Sequence, residues 1–372
     1  MYLQPQHGRA AKRITETTGK KAKTLHRLLE LTKIDDRDFD SYIDVDVKSL
    51  EQDYIIVDEA SMIDTLMMNN IVKSISSSTR VILVGDINQL PSVGPGAILK
   101  DIIDSGKVPT IFLKHIYRQS LQSDIIVNAH RVNEGKQLEF KTGTTDLYYI
   151  KVESEQEALE QMSSLLSHRI QSFAKLNIVK DLQVLTPTKK RELGTSNLNK
   201  EIQELLNKNN DITKTANNRT FKIGDKVMQI INNYDREYEE EGTPNSGVFN
   251  GDIGYVTDID TLEEYVEVTF DDTKITKYDF SDLEELEHAY AITIHKSQGS
   301  EYDYVIIPLF KGYTKLYTRN LLYTAMTRAK KMLILIGNRA TFQNMINNIE
   351  ENNRKTGLKF QIVKLYENQK KE

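Results

Sequence analysis

The sequence predicts an α/β protein in which parallel sheets carry one small inserted β-barrel. Five short apolar runs, rich in β-branched residues, are separated by stretches of helical periodicity, which is typical of buried parallel strands. The predicted strands are Tyr54–Val57, Val81–Val84, Leu182–Leu185, Tyr304–Leu309 and Met332–Ile336. The predicted helices are Glu155–Ser172, Asn197–Asn207 and Asn320–Lys331.

The barrel is predicted from residues 220–280, where short strand patterns are separated by glycine turns. A strand pattern begins at Phe221, an Asn250-Gly251 turn precedes further strand residues, and Tyr265–Phe270 alternates. The acidic, glycine-bearing segment Tyr234–Gly247 is expected to be a mobile loop.

Length and composition bound the class of protein. A chain of 372 residues with 39% hydrophobic and 28% charged residues is typical of two or three globular domains rather than a disordered chain. Cysteine is absent, which excludes disulfides, thiolate metal sites and cysteine nucleophiles and fits a reducing cytoplasm. No apolar run approaches the length needed to cross a bilayer, so no membrane association is expected.

Charge is distributed unevenly along the chain. The formal net charge is −5, yet residues 9–27 carry seven Lys/Arg against one acid, Glu16. Nucleic-acid binding depends on a local basic track rather than on the average charge, so the net charge does not exclude it. The alternative is that this run is only a solvated helix face.

Two adjacent acids, Asp58 and Glu59, follow the first predicted strand. Open α/β sheets bind ligands at the carboxyl ends of their strands. At that position Asp58 would hold Mg²⁺ through water, and Glu59 would orient and deprotonate the water that attacks a γ-phosphate. The alternative is that Asp58 only caps the next segment.

The second predicted strand runs into Gly85-Asp86, with Gln89 shortly after. Because parallel strands end at one edge of a sheet, Asp86 and Gln89 are expected to reach the same site as the two acids. The Gln89 amide could sense a phosphate or water by hydrogen bonding. The alternative is a glycine turn with solvated polar residues.

Two further segments carry cations and polar groups near the last two predicted strands. The loop Ile294–Glu301 offers His295, Lys296, Ser297, Gln298 and the flexible Gly299, which suits contacts to phosphates or a nucleic-acid backbone. In the predicted helix Asn320–Lys331, Thr324 and Arg328 share a face, and the arginine could supply charge to a transferred phosphate. The alternatives are ordinary surface residues.

Taken in order, these four segments resemble motifs II, III, V and VI of superfamily 1 DNA helicases, above all the RecD-like branch. That branch includes the exonuclease V alpha subunit and its stand-alone relatives. The resemblance covers nearly the whole chain to about residue 345 and implies tandem RecA-like P-loop NTPase domains, with an SH3-like barrel inserted in the second. It implies these bounds: 1–112 for an incomplete first domain, 113–205 with 286–348 for the second, 206–285 for the barrel and 349–372 for a C-terminal tail.

The resemblance also implies roles, with ATP and Mg²⁺ bound between the two motor domains. Tyr117-Arg118-Gln119 resembles motif IV, whose arginine faces the γ-phosphate in the family. The catalytic residues would be Asp58, which holds Mg²⁺ through water, with Glu59, Arg118 and Arg328. Asp86, Gln89, Gln298 and Gly299 would sense ATP and its phosphates. Single-stranded DNA would contact Gly8, Arg9, Asn197, His295, Lys296 and Ser297.

Two departures from the family pattern affect these expectations. The segment Gly8–Arg13 resembles motif Ia, a contact to single-stranded DNA in the family. Just before it the family has Ala-Pro-Thr-Gly where this chain has Pro5-Gln6-His7-Gly8, and no G-x-x-x-x-G-K-[ST] loop occurs. The segment at Gly19-Lys20 has one glycine and no preceding strand, so it is rejected as that loop. We therefore expect Met1 to lie inside the first domain, the chain alone to lack ATPase activity, and apolar surface near Tyr54–Val57 and Val81–Val84 to be uncovered.

The expected function is an ATP-dependent helicase motor that moves along single-stranded DNA, 5′ to 3′ by resemblance alone, in DNA repair or recombination. Expected partners are single-stranded DNA, duplex junctions and other recombination or nuclease subunits. One alternative is a DNA-binding remnant without catalysis. Another is the helicase part of a conjugative relaxase, which requires an upstream tyrosine nucleophile and histidine metal cluster that this chain does not show.

Overall fold

The computed structural model describes residues 2–4, 14–15, 18–20, 22–31, 47–113, 122–141, 143, 146–170, 176–208, 213–311, 315–350 and 354–369. These fall into two compact units. The first comprises Met1–Tyr117 with Ile349–Glu372, and the second comprises Arg118–Asn348. Residues 349–372, which we expected to form a separate tail, thus group with the first unit.

The first unit is built on a parallel sheet of order β2-β1-β3-β4. Its strands are β1 (Tyr2–Gln4), β2 (Lys23–Thr24), β3 (Tyr54–Val57) and β4 (Arg80–Leu83). Its helices before residue 117 are α1 (Leu25–Leu28), α2 (Thr65–Ser74) and α3 (Ile98–Ser105). Strand β3 has its predicted bounds, and β4 lies one residue earlier than predicted.

Successive side chains along β3 and β4 point to opposite faces of the sheet, and the two faces differ in burial. Ile55 and Val57 are fully buried in a cluster with residues of the flanking helices. Tyr54, Ile82 and Val84 are instead 48%, 46% and 46% exposed. Apolar surface is therefore uncovered at both strands, as the sequence led us to expect.

The second unit contains a parallel sheet of order β16-β6-β17-β18-β5. Its strands are β5 (Leu147–Lys151), β6 (Leu182–Thr186), β16 (Ala291–Thr293), β17 (Tyr302–Leu309) and β18 (Ala329–Gly337). Its helices are α4 (Asp124–Asn133), α5 (Glu155–Ser164), α6 (Ile178–Asp181), α7 (Thr195–Leu206), α8 (Arg319–Met326) and α9 (Arg339–Asn347). Strands β6, β17 and β18 bury apolar side chains on both faces, which explains their continuous apolar runs.

Two predicted helices differ from the structure. The helix predicted over Asn320–Lys331 ends at Met326, because the chain from Ala329 pairs with β17 as a strand. The helix predicted over Glu155–Ser172 changes to a π-helix at Leu165–Arg169. Residues 171–175 lie outside the described part of the chain.

The inserted barrel is a seven-stranded antiparallel sheet of order β11-β10-β14-β13-β12-β9-β15, with a separate β7-β8 hairpin. The strands are β7 (Thr213–Ala216), β8 (Arg219–Lys222), β9 (Lys226–Gln229), β10 (Asn233–Glu240), β11 (Thr243–Val248), β12 (Ile253–Asp260), β13 (Tyr265–Phe270), β14 (Lys274–Asp279) and β15 (Leu286–His288). Strand β15 lies just beyond the expected boundary at residue 285. The apolar core of the barrel includes Phe221, Val227, Val268 and Tyr278.

The segment Tyr234–Gly247, expected to be a mobile loop, is the β10–β11 hairpin, so that expectation was wrong. Glu241 and Gly242 join the strands with φ of 51° and 78°, which is the backbone that a two-residue hairpin turn requires. Along β10 the acidic side chains alternate with Arg236, which pairs with Asp282 and Glu285. The ion pairs of the half-buried Arg236 side chain therefore help to fix the hairpin, which its acidic composition conceals.

A buried carboxylate joins the barrel to the parallel sheet of the second unit. Asp225 is fully buried and accepts hydrogen bonds from the Gln203 and Asn207 amides at 2.5 and 2.7 Å. The Tyr290 hydroxyl donates to it at 2.9 Å, and the His288 ring lies 3.2 Å away. These partners come from α7, β15 and the approach to β16, so one side chain fixes three elements.

The chain ends, within the described residues, in helix α10 (Leu358–Gln369), which packs against α3 of the first unit. No helix in the described ranges is long and apolar enough to cross a membrane.

Candidate functional site

In the first unit, the acids that follow β3 lie beside the chain that leaves β4. The Val84 N–H donates to Val57 O at 2.8 Å, and the Ala60 N–H donates back to Val84 O at 2.8 Å. Asp58 and Glu59 are thus held against the start of the Gly85–Gln89 turn at the carboxyl edge of the sheet. The shared edge expected from the sequence is what the structure has.

Glu59 has a left-handed backbone, with φ 51° and ψ 39°, and its N–H donates to Asp58 Oδ1 at 2.9 Å. This conformation is uncommon for a residue with a side chain and is often found at functional sites. Gly85 permits it sterically, because a Cβ at that position would lie 3.0 Å from the backbone nitrogens of both Ala60 and Ser61. The glycine is therefore required for close packing of the two turns.

The turn after β4 is held by its own backbone and side chains. Asp86 Oδ1 accepts the Asn88 N–H at 2.9 Å, and Asp86 O accepts the Gln89 N–H at 3.2 Å. Asp58, Glu59, Asp86 and Gln89 are all half-buried, so their polar groups remain reachable from solvent.

Arg354, which sequence reasoning missed, secures the loop beyond this turn. Its guanidinium donates to the carbonyls of Ser92, Gly94 and Gly96 at 2.6, 2.9 and 2.9 Å. On the other side of the loop, Thr65 donates its N–H and its hydroxyl to Pro95 O, both at 2.9 Å. No local motif marks Arg354, so only the fold brings it to this loop.

In the second unit, the loop between β16 and β17 contains a 3-10 helix at His295–Ser297. Ser297 is fully buried and its hydroxyl donates to Ile294 O at 2.7 Å, which corrects the expectation that this hydroxyl faces DNA. Burial lowers the pKa of the His295 ring. Gln298 is buried as well, and Gly299 has a φ of 71°.

Lys296 reaches the surface of this loop, where it pairs with Glu287 at 3.0 Å. Burial lowers the pKa of Lys296, and the Glu287 carboxylate opposes that effect. Burial alone would raise the pKa of Glu287, yet it is lowered, because Lys296, Lys189 and Arg219 surround it. Glu287 belongs to β15 of the barrel and was not predicted from the sequence.

Arg328 follows helix α8 and is 5% exposed. Its Nε donates to Thr324 O at 3.1 Å, its Nη1 to Ser300 O at 3.1 Å and its Nη2 to Thr327 Oγ1 at 3.3 Å. All three acceptors are neutral. Within the described ranges this buried cation forms no ion pair, and it joins the predicted motif V loop to the predicted motif VI segment.

Other predicted residues contribute less or lie outside the described ranges. Asn197 is half-buried and donates to Glu192 O at 3.0 Å. Its neighbour Asn199, which was not predicted, bonds both Ala291 N and Ala291 O and so positions β16. Gly8, Arg9 and Arg118 lie outside the described residues.

Carboxylate and histidine side chains do not assemble into a direct metal site in the described part of the chain, since no group of three is close enough to hold an ion. Mg²⁺ at nucleotide sites is commonly held by one or two carboxylates, waters and phosphates. Asp58 and Asp86 at one sheet edge fit that donor set. They do not fit a metal held by protein alone.

Models of known protein families match three successive parts of the chain. A family model described as an AAA domain matches residues 4–148, and one for the UvrD-like helicase C-terminal domain matches residues 288–336. Between them, the model for the SH3 domain of ATP-dependent RecD-like DNA helicases matches residues 198–270. The chain belongs to the RecD-like helicases. The expected fold class, RecA-like α/β domains with an SH3-like insertion, is confirmed.

Individual RecD-like relatives are longer than this chain. It is 30% identical over 337 residues to the ATP-dependent RecD2 DNA helicase of Deinococcus radiodurans, covering 90% of this chain and 42% of that one. It is 27% identical over 370 residues to the RecBCD enzyme subunit RecD of Buchnera aphidicola subsp. Schizaphis graminum, covering 86% and 59%. The chain thus spans about half the length of these curated relatives.

Solved structures agree on the fold. The crystal structure of Bacteroides Pif1 bound to single-stranded DNA has a TM-score of 0.51 at 17% identity, covering 99% of this chain and 94% of that one. Bacteroides Pif1 in complex with ADP-AlF3 and single-stranded DNA has a TM-score of 0.50 at 16% identity, covering 99% and 93%. At these identities the likeness concerns the fold alone.

Proposed function

We propose that this RecD-like chain forms part of an ATP-dependent DNA helicase motor that translocates on single-stranded DNA. The observation that carries the proposal is Arg328, a buried cation whose described partners are all neutral acceptors. A buried charge without a counterion is costly, and an anionic ligand would compensate it. A transferred phosphate, with its developing negative charge, is such a ligand.

The polar residues that follow β3 and β4 would provide further chemistry for hydrolysis. Glu59 would orient and deprotonate the attacking water, and Asp58 would hold Mg²⁺ through water. Mg²⁺ would neutralise charge on the β- and γ-phosphates. The side-chain amide of Gln89 would sense the phosphate. The backbone N–H of Gln89 donates to Asp86 O, which holds this residue in the turn beside the two acids. Gln298 and Gly299 would sense the nucleotide phosphates, and Arg118 would be a further catalytic cation.

The proposal extends to DNA through the basic and polar loops. Lys296 would contact the DNA backbone, with His295, Asn197, Gly8 and Arg9 in supporting positions. Backbone contacts of this kind carry no sequence preference and weaken with salt. Translocation 5′ to 3′, a role in DNA repair or recombination, a cytoplasmic location, and partners such as duplex junctions and nuclease subunits belong to the proposal through the RecD-like relatives.

A polypeptide of residues 1–372 alone should bind single-stranded DNA yet hydrolyse essentially no ATP. Hydrolysis also needs backbone N–H groups and a lysine that cradle the β- and γ-phosphates, and these residues contain no Walker A sequence. The second candidate function, a DNA-binding module without catalysis, is favoured by that same observation. The two differ in what happens when a Walker A segment is supplied.

The test is DNA-stimulated phosphate release by a form that carries a Walker A segment in addition to these residues. Arg328→Gln should lower the turnover number by about a thousandfold or more, in the range known for arginines that stabilise phosphoryl transfer. Arg339→Gln, at an exposed arginine of the same unit, is the matched control. Equal turnover in both variants, with both folded by circular dichroism, would contradict the motor and favour the binding module.

A further inference from the structure

Three cations converge on one carboxylate where the barrel meets the parallel sheet of the second unit. Lys296 Nζ lies 3.0 Å from Glu287 Oε2, while Arg219 Nη2 and Lys189 Nζ lie 3.0 and 3.7 Å from Glu287 Oε1. We call Lys189, Arg219, Lys296 and Glu287 the Glu287 cluster. Its local charge is positive, since one carboxylate cannot neutralise three cations.

The cluster draws its members from separate parts of the second unit. Lys189 follows β6, and Lys296 belongs to the 3-10 helix before β17. Arg219 begins β8, and Glu287 lies in the edge strand β15 of the barrel sheet. A ligand bound among the three cations would therefore contact the barrel and the motor domain together.

The cluster is open to solvent on one side. The side chains of Glu287, Lys296 and Arg219 are 25%, 25% and 31% exposed, and that of Lys189 is 58% exposed. The Lys189–Glu287 pair is the most exposed and, at 3.7 Å, the longest of the three, so it adds little stability and is readily exchanged. Arg219 is also fixed by its Nη1, which donates to Leu286 O at 2.8 Å, so it would keep its place without Glu287.

The two oxygens of Glu287 occupy positions that the two non-bridging oxygens of a phosphodiester could take. One oxygen receives Arg219 and Lys189, and the other receives Lys296. Arginine and lysine bind carboxylate and phosphate oxygens through the same charge-assisted hydrogen bonds. The Glu287 side chain is partly exposed and so has solvent into which it can rotate.

From this geometry we propose that the Glu287 cluster is a phosphate site for the backbone of single-stranded DNA, closed by Glu287 when DNA is absent. A DNA phosphate displaces the carboxylate and takes the contacts to Lys189, Arg219 and Lys296. The carboxylate thereby competes with DNA and keeps the lysine charged and in place. This inference rests on the proposed binding of single-stranded DNA, and it adds Lys189, Arg219 and a built-in competitor to it.

The experiment measures the affinity of the full chain for a fluorescent oligo-dT across a range of salt concentrations. Glu287→Gln should bind about fivefold more tightly at low salt, since it removes the competing charge but keeps a hydrogen-bonding side chain. Lys189→Gln, Arg219→Gln and Lys296→Gln should each weaken binding and reduce the slope of log affinity against log salt by about 0.7. Glu287→Asp retains the charge and should bind like the unaltered chain.

Matched controls come from an exposed ion pair at the opposite edge of the same sheet, where Lys151 and Glu153 lie 2.7 Å apart. Glu153→Gln and Lys151→Gln change the net charge equally and should leave affinity within about twofold, as exposed pairs do. The proposal is overturned if Glu287→Gln binds no more tightly than Glu153→Gln. It is also overturned if Glu287→Asp behaves like Glu287→Gln, because the effect would then be structural.

The result separates this proposal from the one on which it rests. If the unaltered chain fails to bind oligo-dT at low salt, both proposals fail together. If the unaltered chain binds, and the Lys189, Arg219 and Lys296 variants show the same slope of log affinity against log salt as the unaltered chain, the proposal of single-stranded DNA binding stands. The proposed phosphate site at the Glu287 cluster is then refuted. Circular dichroism of each variant identifies any that has failed to fold, and the remaining variants decide the outcome.

Discussion

Replacing Gly85 with alanine tests whether close packing of two turns sets the position of Glu59. The new Cβ would lie 3.0 Å from the backbone nitrogens of Ala60 and Ser61 and from Leu99 Cδ2. The leucine can rotate, but the two nitrogens belong to the turn that holds Glu59. The substitution should therefore push that turn, and with it the left-handed Glu59, away from β4.

The expected loss follows from two opposing effects. Overpacking of this kind costs roughly 1–3 kcal/mol. Alanine also restricts the unfolded chain, which returns about 0.4–1 kcal/mol. The free energy of unfolding of the first unit should therefore fall by about 1–2 kcal/mol.

Urea unfolding followed by far-ultraviolet circular dichroism measures this loss, since the chain has no tryptophan. Amide hydrogen exchange then assigns it to β3 and β4 of the first unit. The matched control is Gly357→Ala, also in the first unit, where a Cβ would meet nothing within 4 Å. If Gly85→Ala unfolds at the same urea concentration as Gly357→Ala, the close approach does not set the position of Glu59 and the reasoning is refuted.

Three further predictions concern contacts that the fold depends on. Arg354→Gln should destabilise the first unit by about 1.5–3 kcal/mol, because the charged guanidinium donates to three carbonyls. Urea unfolding measures the loss, and Lys359→Gln, at an exposed lysine, is the control that should not show it. Asp225→Asn should cost about 3 kcal/mol in the second unit, since an amide cannot accept all the donors that surround it, and the exposed Asp235→Asn is its control in the same assay. Burial lowers the pKa of His295, so below about pH 6.5 the unfolded chain binds more protons than the folded chain, and stability should be lost as the pH falls. His295→Gln should therefore flatten the dependence of melting temperature on pH, whereas an unchanged slope would contradict the burial argument.

Much of the fold could be predicted because burial leaves a direct trace in the sequence. Strand β6, with both faces covered, is a continuous apolar run. Strand β3 begins and ends where its apolar run does, although one of its faces is partly uncovered. Parallel strands share an edge, so the acids after β3 and the polar turn after β4 had to meet. The hairpin Asn233–Val248 was missed because its charged residues conceal the alternation, although Glu241-Gly242 is a turn signal.

The partners of individual side chains could not be predicted in the same way. Periodicity indicates which residues are buried but not which groups they contact. Arg354 and Glu287 carry no motif, and each meets the site only because a distant element folds back beside it. Conversely, Ser297 belongs to a predicted DNA-contacting loop, yet its hydroxyl satisfies a carbonyl within that loop.

The central claim, that this chain carries the water-activating acid of a helicase motor, is tested most directly at Glu59. In a form that also carries a Walker A segment, Glu59→Gln should lower DNA-stimulated phosphate release roughly a hundred- to ten-thousandfold. ATP affinity should stay near that of the unaltered protein, because the carboxylate acts on water in the transition state. Glu51→Gln, at an exposed acid ahead of β3, should leave release unchanged. Release by Glu59→Gln within about a factor of two of the unaltered protein would show that the base lies elsewhere.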